Sequence, residues 1–242
     1  MGQVELSIVV PAYNEEVFIE DTLGTLDLAI KDKQIPYEIV VVDDGSQDKT
    51  LIKANKYAQR NSHVKVISYP NNAGKGCAVK TGFMKATGEV IVFIDGDMEI
   101  DLQTISKYVD ALKNSDIVIA TKWHPESDVS MSLGRRIMSR SFNLFVRILT
   151  GCNLKDTQVG LKVIKRSSFS NIFPRLAVKR FAFDVELLSV AHLYGLKIVE
   201  MPVNIKLDGS FKSKEIWRMF VDLLGIAYRL RVTRWYQRSI SV

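Results

Sequence analysis

Two carboxylates separated by one glycine, Asp95 and Asp97, stand directly after a short and largely apolar run, residues 89–94. A run of this length, rich in β-branched residues and bounded by glycine, predicts a strand that is buried on both faces. Carboxylates at the carboxyl end of such a strand lie where open α/β sheets bind ligands. They suit a hard divalent cation, Mg²⁺ or Mn²⁺, that takes its remaining ligands from water and substrate phosphates. The pair alone is also common in ordinary strand-end turns, so the rest of the chain must decide between these interpretations.

Polar residues follow two other predicted strands in the same way. Residues 6–10 form an apolar run that leads into the loop 11–15, which carries Asn14 and Glu15. Residues 38–42 form another apolar run, which ends at Asp43 and Asp44. We expect the three strand ends to meet at one edge of a parallel sheet. Their agreement favours a nucleotide site over three unrelated turns.

The order of predicted elements defines the fold class. Further strands are predicted at residues 64–67, 116–120, 157–164 and 196–199, and a helix over 183–194 has Asp184 as a plausible N-cap. Strands that alternate with helices indicate an α/β fold with a mostly parallel sheet flanked by helices on both faces. We interpret residues 1–211 as this domain and residues 212–242 as an amphipathic C-terminal helix with a basic tail.

Composition narrows the possible partners. The 242-residue chain has a formal net charge of +6, which favours an anionic partner such as a nucleotide, a nucleic acid or an acidic membrane surface. A charge that only keeps the protein soluble explains this balance equally well. The two cysteines cannot build a disulfide framework, and the sequence shows neither a signal peptide nor ~20 consecutive apolar residues. These features predict a cytosolic protein without a membrane span.

Two helices in the second half combine basic and apolar faces. In the helix predicted over 133–149, Arg136, Arg140 and Arg147 fall in one stripe, which is either a solvated face or a surface that meets a phosphate. In the helix predicted over 214–231, apolar residues cover most of the circumference and basic residues rim them. This pattern is typical of a helix at a membrane interface, although packing into the domain or onto a second subunit would also produce it.

Four motifs stand in order in the first half of the chain. They are Pro-Ala-Tyr-Asn-Glu at 11–15, Val-Val-Asp-Asp-Gly-Ser at 41–46, Asn-Ala-Gly-Lys-Gly at 72–76 and Asp-Gly-Asp at 95–97. In type and spacing they resemble the motifs of the inverting GT-A glycosyltransferases of family two. Residues 156–162 and 181–188 are similar to the dolichyl-phosphate glucosyltransferase branch, whose broader relatives include the dolichyl-phosphate mannose synthases. The chain departs from the pattern at Lys122, where an arginine is common, and residues 231–235 lack the first glutamine of the Gln-x-x-Arg-Trp motif of processive polymerases.

The resemblance implies a GT-A, Rossmann-like fold with a defined donor site. Pro11, Tyr13 and Glu15 would line the pocket for the nucleobase and ribose, and Asp43 would hydrogen-bond the base. The pair at 95–97 would form the metal site for Mg²⁺ or Mn²⁺, with Asp97 as the ligand and Asp95 on the ribose or a metal-bound water. The metal would clamp the diphosphate of a nucleotide sugar and stabilise the charge that develops on it.

The resemblance also implies the acceptor and the reaction. Arg136 and Arg140, together with Lys122, would hold the phosphate of dolichyl or polyprenyl phosphate, and both arginines would act in catalysis beside Asp97. A hexose would move with inversion, from UDP-glucose in preference to GDP-mannose. Because a lipid phosphate is already an anion at neutral pH, the reaction needs no strong general base. We expect a peripheral protein at the cytosolic membrane face, with a homodimer possible and no nucleic-acid partner.

Other interpretations remain open at this stage. A sugar hydroxyl as acceptor would require a carboxylate base, for which Asp156, Asp184 and Glu186 are the candidates. A membrane module that holds a nucleotide sugar without turnover is a second alternative. A nucleotidyltransferase would carry a glycine-rich basic loop after the first strand, where this chain has residues 11–15. Nucleic-acid binding is disfavoured because the basic residues match no reading motif.

Overall fold

The computed structural model describes residues 4–31, 35–97, 100–101, 104–207 and 213–238. Its strands are β1 (Leu6–Ala12), β2 (Tyr37–Asp43), β3 (Val64–Ser68), β4 (Val90–Phe93), β5 (Ile117–Thr121), β6 (Asp128–Ser130), β7 (Lys162–Lys165), β8 (Ile198–Pro202) and β9 (Asn204–Lys206). Seven of them form one sheet in the order β3-β2-β1-β4-β7-β5-β8, in which only β7 runs antiparallel to its neighbours. Strands β6 and β9 form a small parallel sheet. The predicted α/β fold with a mostly parallel sheet is confirmed.

Helices cover both faces of the large sheet. They are α1 (Ile19–Lys31), α2 (Thr50–Ala58), α3 (Lys75–Lys85), α4 (Ile105–Ala111), α5 (Leu133–Thr150), α6 (Arg166–Phe169), α7 (Phe183–Leu193) and α8 (Ser213–Arg231). Successive side chains of a strand point to opposite faces, so Val9 packs in the core beneath α3, α5, α7 and α8, and Ile8 packs against α1 and α4. Strand β2 is buried along its whole length, as the apolar run predicts.

Two predicted elements differ from the structure in a way that matters for the site. The strand expected over 157–164 begins only at Lys162, and residues 157–161 form a loop instead. The helix expected from residue 183 is present as α7, but its N-cap is Ala182 and Asp184 lies in its first turn. A local pattern could not separate these possibilities, because the contacts that decide them come from residues distant in the sequence.

The C-terminal helix α8 joins the main core on one side only. Met219, Leu223 and Ile226 are buried in the core that also contains α5 and α7, and Phe220 makes edge contacts with Phe142 and Phe145. Among the described residues, no helix has the length and apolar character that a membrane crossing requires. The predicted boundary at residue 211 lies outside the described residues, so the division of the chain there stays a prediction.

Candidate active site

The loops after β1 and β2 are joined into one unit by hydrogen bonds. The Asn14 amide donates to Ser46 Oγ at 3.0 Å, and the Gln47 amide donates to Asn14 Oδ1 at 2.9 Å. The Glu15 amide donates to Thr50 Oγ1 at 2.7 Å. Asn14 has a positive φ of 59°, a conformation that asparagine tolerates better than most residues. The sequence from 11 to 15 therefore forms a fixed edge beside the end of β2.

Asp43 lies at the end of β2, and one of its oxygens meets no hydrogen-bond donor among the residues that the structure describes. The residue is 1% exposed, and within the described structure its Oδ1 atom accepts no hydrogen bond, whereas Oδ2 accepts from the Ser46 amide at 3.4 Å. A buried acceptor without a partner costs free energy of about 1–3 kcal/mol. An N–H group on a ligand, such as that of a nucleobase, would satisfy it.

Asp44 organises the loop that precedes α3. Its carboxylate accepts hydrogen bonds from the Ala73 amide at 2.7 Å, the Gly74 amide at 2.8 Å and the Asn72 side chain at 2.9 Å. Burial raises the pKa of Asp44 in spite of these donors. The sequence indicates only that Asp44 ends a strand, and the structure gives it the task of holding residues 72–74.

Asp95 and Asp97 stand beside a chain of alternating charges. Both carboxylate oxygens of Asp95 lie 2.8 Å from Lys75 Nζ. Lys75 Nζ is also 3.5 Å from Asp184 Oδ2, while Asp184 Oδ1 is 2.9 Å from Lys162 Nζ. Burial alone would lower the pKa of Lys75, but Asp95 and Asp184 raise it above its usual range, so the ammonium group stays charged.

The loop 157–161 approaches Asp95 at a glycine. A Cβ atom added at Gly160 would lie 2.1 Å from Asp95 Oδ2, so a larger residue would displace the carboxylate. Gly96, on the other side, would place a Cβ atom 3.6 Å from the Pro11 carbonyl oxygen and 3.8 Å from Glu15 Cγ. The ends of β1 and β4 and the loop before β7 thus converge on the Asp95 turn.

A cavity of about 320 Å³ opens at this convergence. Its lining contains a charged set and an apolar set. The charged set is Lys75, Asp95, Asp97, Lys122, Arg135 and Asp184, and the apolar set includes Met131, Met138, Phe142, Ile205, Met219 and Phe220. Gln158 also lines it, and its buried Nε2 atom has no protein partner within the described residues. The cavity can accept a ligand that has both an anionic and an apolar part.

The predicted donor residues divide between the cavity and its border. Asp95 and Asp97 line the cavity. Pro11, Glu15 and Asp43 are not part of its lining and lie at the ends of β1 and β2, where Tyr13 is 41% exposed. Pro11 and Glu15 nevertheless lie close to the Asp95 turn, because both approach Gly96.

Of the three basic residues predicted to bind the acceptor phosphate, only one lines the cavity. Lys122 lines the cavity and forms a 2.8 Å ion pair with Asp156. Arg136 and Arg140 are exposed on α5 and do not line it, and the guanidinium of Arg140 stacks over Trp123 at 4.7 Å. Arg135 lines the cavity instead. A helical projection shows which residues share a face of the helix, whereas the packing of α5 in the folded chain decides which face points into the cavity.

The three candidate bases are all engaged by cations. Asp156 is held by Lys122, and Asp184 stands between Lys75 and Lys162. Glu186 is fully buried, accepts the amides of Ala177 and Val178, and pairs with Arg229. These ion pairs and hydrogen bonds occupy the carboxylate oxygens and hold them in place, which suits structural support better than removal of a proton.

The donor set fits a divalent cation of the Mg²⁺ or Mn²⁺ type. Such cations are commonly held by one or two carboxylates together with waters and substrate phosphates. Asp95 and Asp97 supply two carboxylates at the cavity, and among the described side chains no group of three or more His, Cys, Asp or Glu residues is placed to hold a metal. The chemistry of these two residues therefore agrees with a cation that completes its shell with the donor.

Comparison with known proteins agrees with this geometry. The profile of the family described as Glycosyl transferase family 2 matches residues 7–173. The dolichyl-phosphate beta-glucosyltransferase of Dictyostelium discoideum is 32% identical over 99% of this chain and 79% of its own length. The human dolichyl-phosphate beta-glucosyltransferase is 35% identical over 96% of this chain and 77% of its own.

Solved structures show the same fold. Glucosyl-3-phosphoglycerate synthase of Mycobacterium tuberculosis superposes with a TM-score of 0.70 at 20% identity, covering 99% of this chain and 83% of that one. A complex of the same enzyme with Mn²⁺, UDP-glucose and glycerol 3-phosphate gives a TM-score of 0.70 at 19% identity, over 99% and 82%. The strand ends that converge on the cavity are those of a GT-A sheet, and this chain is a glycosyltransferase that belongs to glycosyl transferase family 2.

Proposed function

We propose that this enzyme transfers glucose from UDP-glucose to dolichyl or polyprenyl phosphate with inversion at the anomeric carbon. The observation that carries the proposal is the cavity, which joins a charged lining at the strand ends to an apolar lining from α5 and α8. A lipid phosphate has the same two parts. The names of the relatives at 32% and 35% identity support glucose as the sugar and dolichyl phosphate as the acceptor.

The donor side supports a nucleotide sugar. Asp43 offers a buried acceptor oxygen for a base N–H, and the fixed loop at 11–15 offers Pro11, Tyr13 and Glu15 for the base and ribose. The two carboxylates at 95–97 would hold the divalent cation, with Asp97 as the ligand. When bound, that cation would neutralise charge that develops on the leaving diphosphate.

On the acceptor side, Lys122 and Arg135 are the basic residues that we assign to the phosphate. Both line the cavity, and an arginine fork can hold two phosphate oxygens at once. Arg136 and Arg140 are assigned a lesser role, which is attraction of the anionic acceptor from the exposed face of α5. The phosphate oxygen attacks the anomeric carbon without a general base, and UDP leaves. This agrees with the ion pairs in which Asp156, Asp184 and Glu186 are held by lysine or arginine side chains.

We further propose that the enzyme docks on the cytosolic face of a membrane through α5 and α8. Their outer faces expose large apolar side chains, namely Leu133, Ile137, Leu144, Ile148, Trp217, Val221, Leu224 and Tyr228. Exposed apolar surface of this extent beside basic residues is typical of helices that lie in a membrane interface. The acceptor would then enter the cavity from the surface that carries its lipid chain.

The test is transfer of labelled sugar into a lipid that can be extracted with organic solvent. Purified protein is mixed with dolichyl phosphate and Mn²⁺ or Mg²⁺, with labelled UDP-glucose and GDP-mannose in parallel reactions. Label in the organic phase from UDP-glucose alone is the expected result. Label from GDP-mannose alone would overturn the assignment of UDP-glucose as the donor. No label from either nucleotide sugar, with UDP binding intact, would overturn the assignment of the lipid phosphate as the acceptor.

A further inference from the structure

Lys75 occupies a position that the donor site as described above does not use. It is the first residue of α3, lines the cavity, and has a side chain that is 18% exposed. Its ammonium group lies 2.8 Å from each oxygen of Asp95. A cation inside the protein thus already contacts one of the two carboxylates that would attract a metal.

The ammonium group is held from its other side as well. Asp184 Oδ2 is 3.5 Å from Lys75 Nζ, and Asp184 Oδ1 is 2.9 Å from the ammonium of Lys162, which is 1% exposed. Lys162 also donates to the Val159 carbonyl oxygen. Asp184 is therefore fixed by a buried lysine and in turn restrains Lys75 beside Asp95.

Packing of α3 against the segment before α7 fixes the backbone of this arrangement. A Cβ atom at Gly74, which has φ +102°, would lie 2.3 Å from the Lys179 carbonyl oxygen. A Cβ atom at Gly76 would lie 2.6 Å from Phe183 Cβ. The glycines on both sides of Lys75 allow close contacts that other residues would prevent, and these contacts pack the start of α3 against residues 178–183.

A fixed ammonium at this place acts against a divalent cation in two ways. It occupies the oxygens of Asp95, and it repels a second positive charge at short distance, where the interaction energy in a partly buried site is several-fold larger than in water. A negatively charged diphosphate reverses the balance, because it adds phosphate oxygens as ligands and contributes charge of the opposite sign.

We propose that Lys75 is a positioning residue that keeps Asp95 in place and weakens the hold of Asp95 and Asp97 on a divalent cation, so that tight metal binding requires the donor diphosphate. This inference rests on the proposed metal-dependent donor site. Asp184 and Lys162 act on the proposed metal site through Lys75. The expected consequence is cooperative binding, in which the nucleotide sugar strengthens the binding of the metal and the metal strengthens the binding of the nucleotide sugar.

The experiment measures binding of Mn²⁺ alone, by electron paramagnetic resonance of the free ion, without substrate or turnover. We expect Lys75→Met to bind Mn²⁺ about tenfold more tightly than the unchanged protein, because Asp95 is released and a positive charge is removed. Lys85→Met is the matched control, since Lys85 is exposed at the far end of the same helix, and it should change nothing. Lys75→Arg should restore weak binding, and Lys75→Met combined with Asp95→Asn should cancel the gain.

A second measurement separates this inference from the proposed function. UDP should strengthen Mn²⁺ binding strongly in the unchanged protein and only weakly in Lys75→Met. If folded Lys75→Met binds Mn²⁺ alone no more tightly than the unchanged protein, the role of Lys75 is wrong. If the unchanged protein binds no Mn²⁺ even with UDP, the proposed donor site itself is wrong. Lys75→Gln replaces the methionine variant if thermal unfolding shows that the latter does not fold, and the same two outcomes apply.

Discussion

The two edges of the large sheet use buried carboxylates for opposite purposes. At the amino-terminal edge, Glu38 is 2% exposed and accepts four hydrogen bonds of 2.6–2.7 Å from Ser7, Lys65 and the amide and hydroxyl of Thr87. At the carboxyl-terminal edge, Asp43 is also almost fully buried, and one of its oxygens has no hydrogen-bond partner in the part of the chain that the structure describes.

This difference separates structural from functional charge. Desolvation opposes the ionised form of Glu38, but the hydrogen bonds from Lys65, Ser7 and Thr87 outweigh it and lower its pKa to about 2. A carboxylate that the protein satisfies fully contributes to stability, whereas one that it leaves unsatisfied or opens to a cavity is available to a ligand. Substitutions at the two edges should therefore affect different properties.

The largest expected effect is at the carboxyl-terminal edge. Asp97→Ala should lower the rate of sugar transfer by about 10²–10³-fold, because the diphosphate loses the charge stabilisation that depends on this carboxylate. The measurement is initial rate with saturating UDP-glucose, paired with calorimetric donor affinity. Asp110→Ala, at an exposed residue of α4, is the control. Unchanged Mn²⁺-dependent donor affinity in Asp97→Ala would contradict its assignment as metal ligand.

At the amino-terminal edge the expected effect is on folding. Glu38→Gln should reduce the free energy of unfolding by about 3 kcal/mol at neutral pH, since the lowered pKa corresponds to stabilisation of that order. The rate per folded molecule should stay the same. Urea unfolding measures the change, with exposed Glu89→Gln as the control. A variant of normal stability and reduced turnover would reverse the roles that we assign to the two edges.

The same carboxylate predicts a pH dependence. Its folded pKa, about 2, is below the ordinary value of 4.5, so its stabilisation is fully present above pH 4.5 and is lost as the pH falls toward 2. The difference in unfolding free energy between the unchanged protein and Glu38→Gln should shrink across this window. If the difference in unfolding free energy stays constant from pH 6 to pH 3, the stabilisation does not come from the ionised carboxylate of Glu38.

Two neighbouring arginines on α5 allow a residue that lines the cavity to be compared with one that is exposed. They are Arg135 and Arg136. Arg135→Ala should lower kcat/KM for the lipid phosphate by about 10²-fold, because a charge-assisted contact in a partly closed cavity is lost. Arg136→Ala removes the same charge from the exposed face and should cost about threefold or less. Initial rates with varied dolichyl phosphate measure both. Equal effects would favour the basic stripe of Arg136 and Arg140 over the cavity residue.

The smallest expected effect concerns the outer face of α8. Replacing Trp217 and Leu224 together by alanine should weaken sedimentation with anionic vesicles by about tenfold, because their apolar side chains would otherwise be buried in the membrane interface. The control pair is Leu28→Ala with Ile52→Ala, which are similarly exposed on α1 and α2. Unchanged vesicle binding, together with a loss of dimer in sedimentation velocity, would assign this face to a second copy of the chain.

The sequence alone determined the sheet and the carboxylates at its carboxyl-terminal edge. Apolar β-branched runs define strands through local chemistry, and the carboxyl ends of parallel strands meet at one edge by geometry, so Asp43, Asp95 and Asp97 could be placed at that edge of the sheet in advance. The motifs at 11–15 and 72–76 mark the loops that follow β1 and β3. These features depend on neighbours in the sequence and on a general rule of sheet topology.

Only the tertiary structure decided which basic residues line the cavity and which charged residues pair with one another. Arg135 lines the cavity and Arg136 does not, because of the way α5 packs in the folded chain. A helical projection does not contain this information. The contact of Lys75 with both Asp95 and Asp184 joins three elements that are far apart in the chain. Residues 157–161 form a loop in which Gly160 approaches Asp95, although their composition also suits a strand. Such long-range contacts arise from packing, and local sequence patterns do not encode which of several compatible partners a side chain meets.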